Sequence, residues 1–153
     1  MSEWSQVDPE TISVIKKVET DGTKHSELVA YFCVLRLNDQ AAARMKRGEL
    51  TGLQIRASDL ARPGEPSSCV YVGGVIGADM VARAIALDHL ITHITSMSLD
   101  PKTEVFTRPV TKDGLRLVRK FKMKQLAPNS KEIGSIFVGS PTDIASVGPA
   151  RHR

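Results

Sequence analysis

The stretch CVYVGGVIGADMVARAIALDHLITHITSM, residues 69–97, decides the fold. It opens on an apolar, β-rich run, Cys69-Val70-Tyr71-Val72, breaks at the pair Gly73-Gly74, resumes as Val75-Ile76 and turns at Gly77. A long helical pattern follows. A strand, a glycine turn and a helix in that order aim backbone N–H groups and the positive end of a helix dipole at one spot, which suits a phosphate or another anion. A glycine pair weakens a core strand. It marks a bulge or the close approach of another molecule, unless packing alone bends the sheet there. Along the helix, Met80, Ala84, Leu87, Leu90, Ile91 and Ile94 line one stripe, which is expected to face the sheet. Ala82, Ala84 and Ala86 make the helix start slim. That gives either a tight helix–sheet contact or room for a ligand at bare N–H groups, with Arg83 supplying charge.

Upstream, residues 28–37 (LVAYFCVLRL) are apolar on both parities until Arg36, the mark of a strand covered on both faces. Residues 12–18 put Ile12, Val14 and Val18 on one parity, which predicts a strand exposed on one side. Between them, ETDGTKHS carries Asp21-Gly22, a hairpin turn signal. Asn38 or Asp39 caps a short helix through Met45, and Gly48 stops it. Residues 50–66 read as an ordered loop with a turn of helix at 58–61. A connection that long is commonly functional or an insertion. Downstream, residues 104–110 (EVFTRPV) read as a strand ended by Pro109. Thr111 caps a basic amphipathic helix to Phe121, with Leu115, Val118 and Phe121 inward. Residues 124–126 suggest a short strand and residues 133–138 a last one. The first ten residues have no periodicity, and residues 140–153 show no core pattern. The expected organisation is one domain over residues 1–140 and a loose tail over 141–153.

The chain has 153 residues, enough for one domain with a real core. Its apolar and charged fractions, 41% and 25%, are those of an ordinary soluble protein. No basic-then-apolar leader and no apolar run of bilayer length occur, so a cytoplasmic protein with no membrane partner is expected. The two cysteines, Cys33 and Cys69, sit in strand-like runs and read as buried thiols. The net charge of +4 is uneven: between Lys112 and Lys131 seven basic residues face Asp113 alone. Such a segment meets phosphate, nucleic acid or an acidic partner, or is a solvated face. His89 and His93 are spaced to chelate a metal, but both fall on the polar side of the helix with no third ligand nearby, so no metal site is expected. No Gly-x-Ser-x-Gly elbow, phosphate-binding Walker loop or paired-cysteine zinc pattern is present.

Taken together, the hairpin, the apolar strand with a break, the long helix, the strand 104–110 and the helix 111–121 resemble the GNAT acetyltransferase superfamily. The likeness covers residues 11–138 and is closest in SCVYVGGVIGADMVARAIALDHLITHI and RPVTKDGLRLVRKFKM. It implies an α+β fold with a mixed, mostly antiparallel central sheet and flanking helices. The family signature for acetyl-CoA, Q/R-x-x-G-x-G/A, falls with Asp79 at the first position, Ala82 at the glycine and Ala84 at the Gly/Ala position. In the second segment Thr111 stands at a usual Asn, Gly114 at Ala, Val118 at the Tyr that often protonates the departing thiolate, Lys122 at Gly and Met123 at Phe. The family's first strand and first helices have no counterpart before Ile12.

The resemblance implies an N-acyltransferase that moves an acetyl group from acetyl-CoA to an unidentified primary amine. A backbone N–H near Val75 or Ile76 would polarise the thioester, and the amides of residues 77–84, from Gly77 past Ala82 to Ala84, would hold the pyrophosphate. Arg83 or the helix begun by Thr111 would meet the phosphates. No catalytic acid or base stands out; Glu49, Asp59 and Glu65 in the long loop are candidates by location only. Val118 and Asp79 keep open a second reading, a non-catalytic acyl-CoA-binding module. A third, a nucleic-acid or acidic-protein binder using the basic helix, is disfavoured because no aromatic residues alternate with the basic run. Counting covering helices leaves the two-sided strands short of cover, so a second copy, a partner protein or the tail 140–153 folding back is expected to meet them, a homodimer being the commonest solution.

Overall fold

The computed structural model describes residues 12–18, 26–77, 79–97, 100–128 and 131–147. Strands β1 (Ile12–Val18) and β2 (Ser26–Leu37) form the expected antiparallel pair. The Asp21-Gly22 turn between them, the first ten residues and residues 148–153 lie outside the described residues. Strands β3 (Cys69–Gly77), β4 (Glu104–Thr107), β5 (Lys124–Gln125) and β6 (Phe137–Gly139) complete one six-stranded sheet in the order β1-β2-β3-β4-β6-β5. Among the described residues only β3 and β4 pair in parallel, and a parallel pair needs a crossover. The long helix between them supplies it. The result is the α+β fold expected from the sequence, a mixed and mostly antiparallel sheet with flanking helices.

Residues 38–68, between β2 and β3, are the cover of one face. Helix α1 (Asp39–Lys46) starts at Asn38, whose side-chain oxygen accepts from the Ala41 N–H at 2.9 Å. The amide of the same side chain donates to the Ser58 carbonyl at 2.8 Å, tying the helix start to the loop beyond it. Two single 3-10 turns follow, Gly52–Gln54 and Ala57–Asp59. Met45, Leu50, Ile55 and Leu60 then pack on Leu35, Leu37, Tyr71 and Phe106. Each fully buried aliphatic side chain there contributes roughly 1.5–3 kcal/mol.

The opposite face carries α2 (Met80–Ser96), α3 (Lys112–Lys120) and α4 (Pro141–Val147). Leu90 and Ile94 of α2, Val118 of α3 and Ile144 of α4 meet Val70 and Val105 of the sheet. Helix α4 corrects the expected tail over 141–147. Ser140 caps it by accepting from the Asp143 N–H at 3.1 Å, Pro141 begins it, and Ile144 is fully buried. The strand expected over 104–110 ends at Thr107, before Pro109, which has no N–H to give a ladder. The last strand is shorter than expected and begins at Phe137.

The stripe expected on α2 holds only in its second half. Ala82, Ala86, Leu90, Ile91 and Ile94 are buried, whereas Met80 and Ala84 are exposed and Leu87 is half-buried. The first half lies on Ala30 and Val75, and only alanines let it come that close. His93 is half-buried with its ring 5.8 Å from that of Phe32, while His89 is exposed. Helix α4 and the 38–68 connection supply the cover that the count of helices lacked, so that count no longer calls for a second copy. No helix among the described residues is long and apolar enough to cross a membrane.

Candidate functional site

The β3–β4 ladder runs from Cys69 opposite Glu104 to Val72 opposite Thr107, and stops. The Thr107 hydroxyl donates to the Val72 carbonyl at 2.9 Å and finishes that edge. The β2–β3 ladder continues to Gly77 opposite Ala30. On the way Val72 faces Val34 while Gly74 faces Cys33, so Gly73 is one extra residue, a bulge at the glycine pair. An added residue reverses the alternation of faces. Hence Val75 packs with Val70 and Val72, which it could not in an unbroken strand. Beyond the bulge β3 keeps β2 on one edge and, among the described residues, has no strand on the other. A side chain at Gly73 would lean on the Cys33 side chain at 3.3 Å, and one at Gly74 would meet nothing within 4 Å.

Both parallel strands run into helix N-termini at this open end. Asp79 caps α2, its carboxylate accepting from the Ala82 N–H at 2.8 Å. Thr111 caps α3 and accepts from the Gly114 N–H at 3.0 Å. The Arg83 guanidinium lies 3.8 Å from the Asp113 carboxylate, and Asp113 also meets Arg116 at 3.2 Å, so the two first turns are neighbours. Gly77 sits hard against the α2 start: a Cβ there would come 2.5 Å from the Arg83 nitrogen and 2.9 Å from the Ala82 carbonyl carbon.

The residues singled out from the sequence therefore divide. Gly77, Ala82 and Arg83 meet at the strand–helix turn, and Arg83 reaches the turn that Thr111 caps. Val75 is half-buried, Ile76 half-exposed and Ala84 exposed. Ala82 is a packing residue, buried with Ala30 and Ala86. A helix start leaves its first amides without intrahelical acceptors, here those of Met80 and Val81. Ile76 (50%), Met80 (78%), Val81 (68%) and Val110 (61%) expose apolar side chains on the segments that bound the gap. The donors gathered here, the strand edge, the Met80 and Val81 amides and Arg83, suit an anion. Asp79 opposes it at the third amide.

Proton-handling groups are few. Val118, at the tyrosine position of the resemblance, is buried in the core. Glu49 pairs with Arg47 at 3.0 Å, Asp59 accepts from the Arg56 N–H at 2.9 Å, and Glu65 accepts from the Arg62 N–H at 3.1 Å. All three are engaged within the loop. Cys33 and Cys69 are free buried thiols, pushed up by burial to about 11 and about 12. Burial also raises the Tyr71 phenol, while the Arg108 guanidinium beside it pulls the other way. The phenol oxygen would lie 2.0 Å from a Cβ on Gly52, so the 3-10 turn at Gly52 closes directly over it. Arg108 was missed in the sequence. Its signal was its place between Thr107 and the strand-ending Pro109. Among the described residues no group of three or more His, Cys, Asp or Glu side chains is placed to hold a metal.

No protein-family model matches the chain, and no curated protein matches it.

Proposed function

We propose that this chain is an acyl-CoA-dependent N-acyltransferase, with acetyl-CoA as co-substrate and a primary amine as acceptor. The observation that carries the reading is the early end of the β3–β4 ladder, which leaves the bulged second half of β3 open beside two helix N-termini. Carboxyl ends of parallel strands are where α/β sheets bind ligands. The resemblance to the GNAT superfamily supports the same reading at two further positions. Lys122 holds a left-handed backbone (φ 58°), a conformation that favours glycine, where the resemblance places a glycine. Thr111 is a helix cap where the resemblance places Asn, another capping residue.

The thioester supplies an activated acyl carbon. Everything else asked of the protein is placement and charge. Alternate residues of 73–77 aim their N–H and C=O groups at the gap, so an amide-bearing arm can pair there as a short extra strand. A β3 N–H near Val75 or Ile76 polarises the acyl oxygen. The Met80 and Val81 amides, with Arg83, hold the anionic end. With Val118 in the core, proton transfer falls to water. Val118 and the Asp79 cap equally favour the second reading, a binding module without chemistry. The basic helix is a weaker candidate for a nucleic-acid surface, because Arg116 and Arg119 are engaged by Asp113 and Glu132.

Calorimetry and thermal melting with acetyl-CoA test the proposal. Binding raises the melting temperature by mass action, the equivalent of about 2.7 kcal/mol at a hundredfold excess over Kd. No heat and no shift at millimolar acetyl-CoA removes both acyl-CoA readings. Binding without N-acylation of any amine in a broad panel leaves the module.

A further inference from the structure

Arg108 follows directly on Thr107, where β4 leaves β3, and is half-buried. Among the described residues it makes no ion pair; its neighbour is the neutral phenol of Tyr71. The other arginines at this end, Arg83 and Arg116, both have a carboxylate. A guanidinium partly withdrawn from water without an anion is a net cost to the fold, and arginine's planar fork of donors matches a planar oxyanion. The phenol itself is only 5% exposed, so an oxyanion reaches the pair from the Arg108 side, past the end of the β3–β4 ladder. Gly73, exposed and without a side chain, lies two residues past Tyr71 on β3, and the Gly52 turn closes the other side of the phenol.

We propose that Arg108 and the Tyr71 hydroxyl form a carboxylate-binding site at the mouth of the β3–β4 gap. The acceptor amine is therefore one that also bears a carboxylate, as an amino acid or a peptide end does. The site itself follows from the geometry; its assignment to the acceptor rests on the acyltransferase reading. One guanidinium with one phenol donor balances a single negative charge, which suits a carboxylate better than a phosphate dianion.

The test uses the full chain and three probes: N-acetylglycine, N-acetylglycinamide and N-acetylaminomethylphosphonate, with binding read by NMR shift titration. N-acetylglycine is expected to shift the amides of Gly52 and Gly73 and to bind at least tenfold more tightly than the amide. Arg108→Gln is expected to remove that preference while the melting temperature stays level or rises. Equal binding of the charged and neutral probes overturns the site, and so does a melting temperature that falls by several degrees in Arg108→Gln, the mark of a structural arginine. Preference for the phosphonate overturns the carboxylate assignment. None of these measurements contains acetyl-CoA. A chain that binds N-acetylglycine through Arg108 but never acetyl-CoA keeps the site and loses the acyltransferase reading, and the reverse result does the opposite.

Discussion

From Cys69 to Val72, strand β3 has partners on both edges and cover on both faces; from Gly73 to Gly77 it has β2 alone. The first half is wholly buried, whereas the second half holds Ile76 at half exposure and opens on two helix starts. One inserted residue separates them. The difference teaches that a single strand can be anchor and binding edge in succession, provided something breaks the ladder between the two tasks. Here the bulge at Gly73 turns the chain's faces over, and the Thr107 hydroxyl seals the last paired carbonyl.

The largest expected effect is an aspartate placed in each half. Val70→Asp buries an unpaired carboxylate at a fully buried position and should cost more than about 4 kcal/mol, leaving no cooperative melt. Ile76→Asp should stay within about 1 kcal/mol and weaken acetyl-CoA binding instead. Equal losses of stability in the two variants would break the comparison. The same contrast recurs on α2. Ala82→Glu, forced against Ala30, is expected to lose a few kcal/mol, about 2 or more. Ala84→Glu should melt within about 0.5 kcal/mol of the parent and bind acetyl-CoA at least tenfold less. If the Ala84 variant binds acetyl-CoA normally, the register of the pyrophosphate site is wrong.

The thiols compare the halves by titration. Burial raises both above the ordinary 9.0, Cys69 in the sealed half to about 12 and Cys33, opposite Gly74, to about 11. For a group whose folded pKa is raised, the stabilisation is complete below the unfolded value and is lost as pH rises through the folded one. Urea midpoints should therefore fall once the pH passes 9.0, the unfolded value. Cys33→Ala and Cys69→Ala should each flatten that fall alike up to about pH 11, and above it only Cys69→Ala should still do so; a fall that ends at the same pH in both variants would mean that the two halves are equally dry. The smallest effect sharpens the family likeness rather than the sheet. Lys122→Gly relieves a left-handed backbone at the end of α3 and should gain up to about 1 kcal/mol in denaturant melts. An unchanged midpoint would remove that support for the resemblance.

Local signals were the legible ones. Asn38 and Thr111 cap the helices as their sequence neighbourhoods suggested, and the glycine pair marks a bulge, one of the outcomes it allowed, because caps and bulges are settled within a few residues; Asp79, also a cap, was read as part of its helix. Helix α4 carried a local signal too, Ser140-Pro141 at its start, but Ile144 and Val147 are too few to set a period. The face of the first half of α2 was not legible, since periodicity averages over a helix and cannot foresee that its start lies on Ala30. Of the candidate site, the strand–helix turn at Gly77 was visible. Arg108 was not, because what distinguishes it is the company it lacks, and company across the sheet is written in no single stretch.

Strand β4 lies inside the sheet, yet the whole of residues 108–136 separates its end, Thr107, from Phe137, the first residue of β6, the neighbour that makes it interior. Chains are made from the N-terminus. Until residues 137–139 are made, Val105 and Phe106, both fully buried in the finished fold, lie on an open edge that any other strand can join. Ile144 arrives later still. A growing or truncated chain that stops short of β6 is therefore at its most aggregation-prone just when most of its sheet is already built.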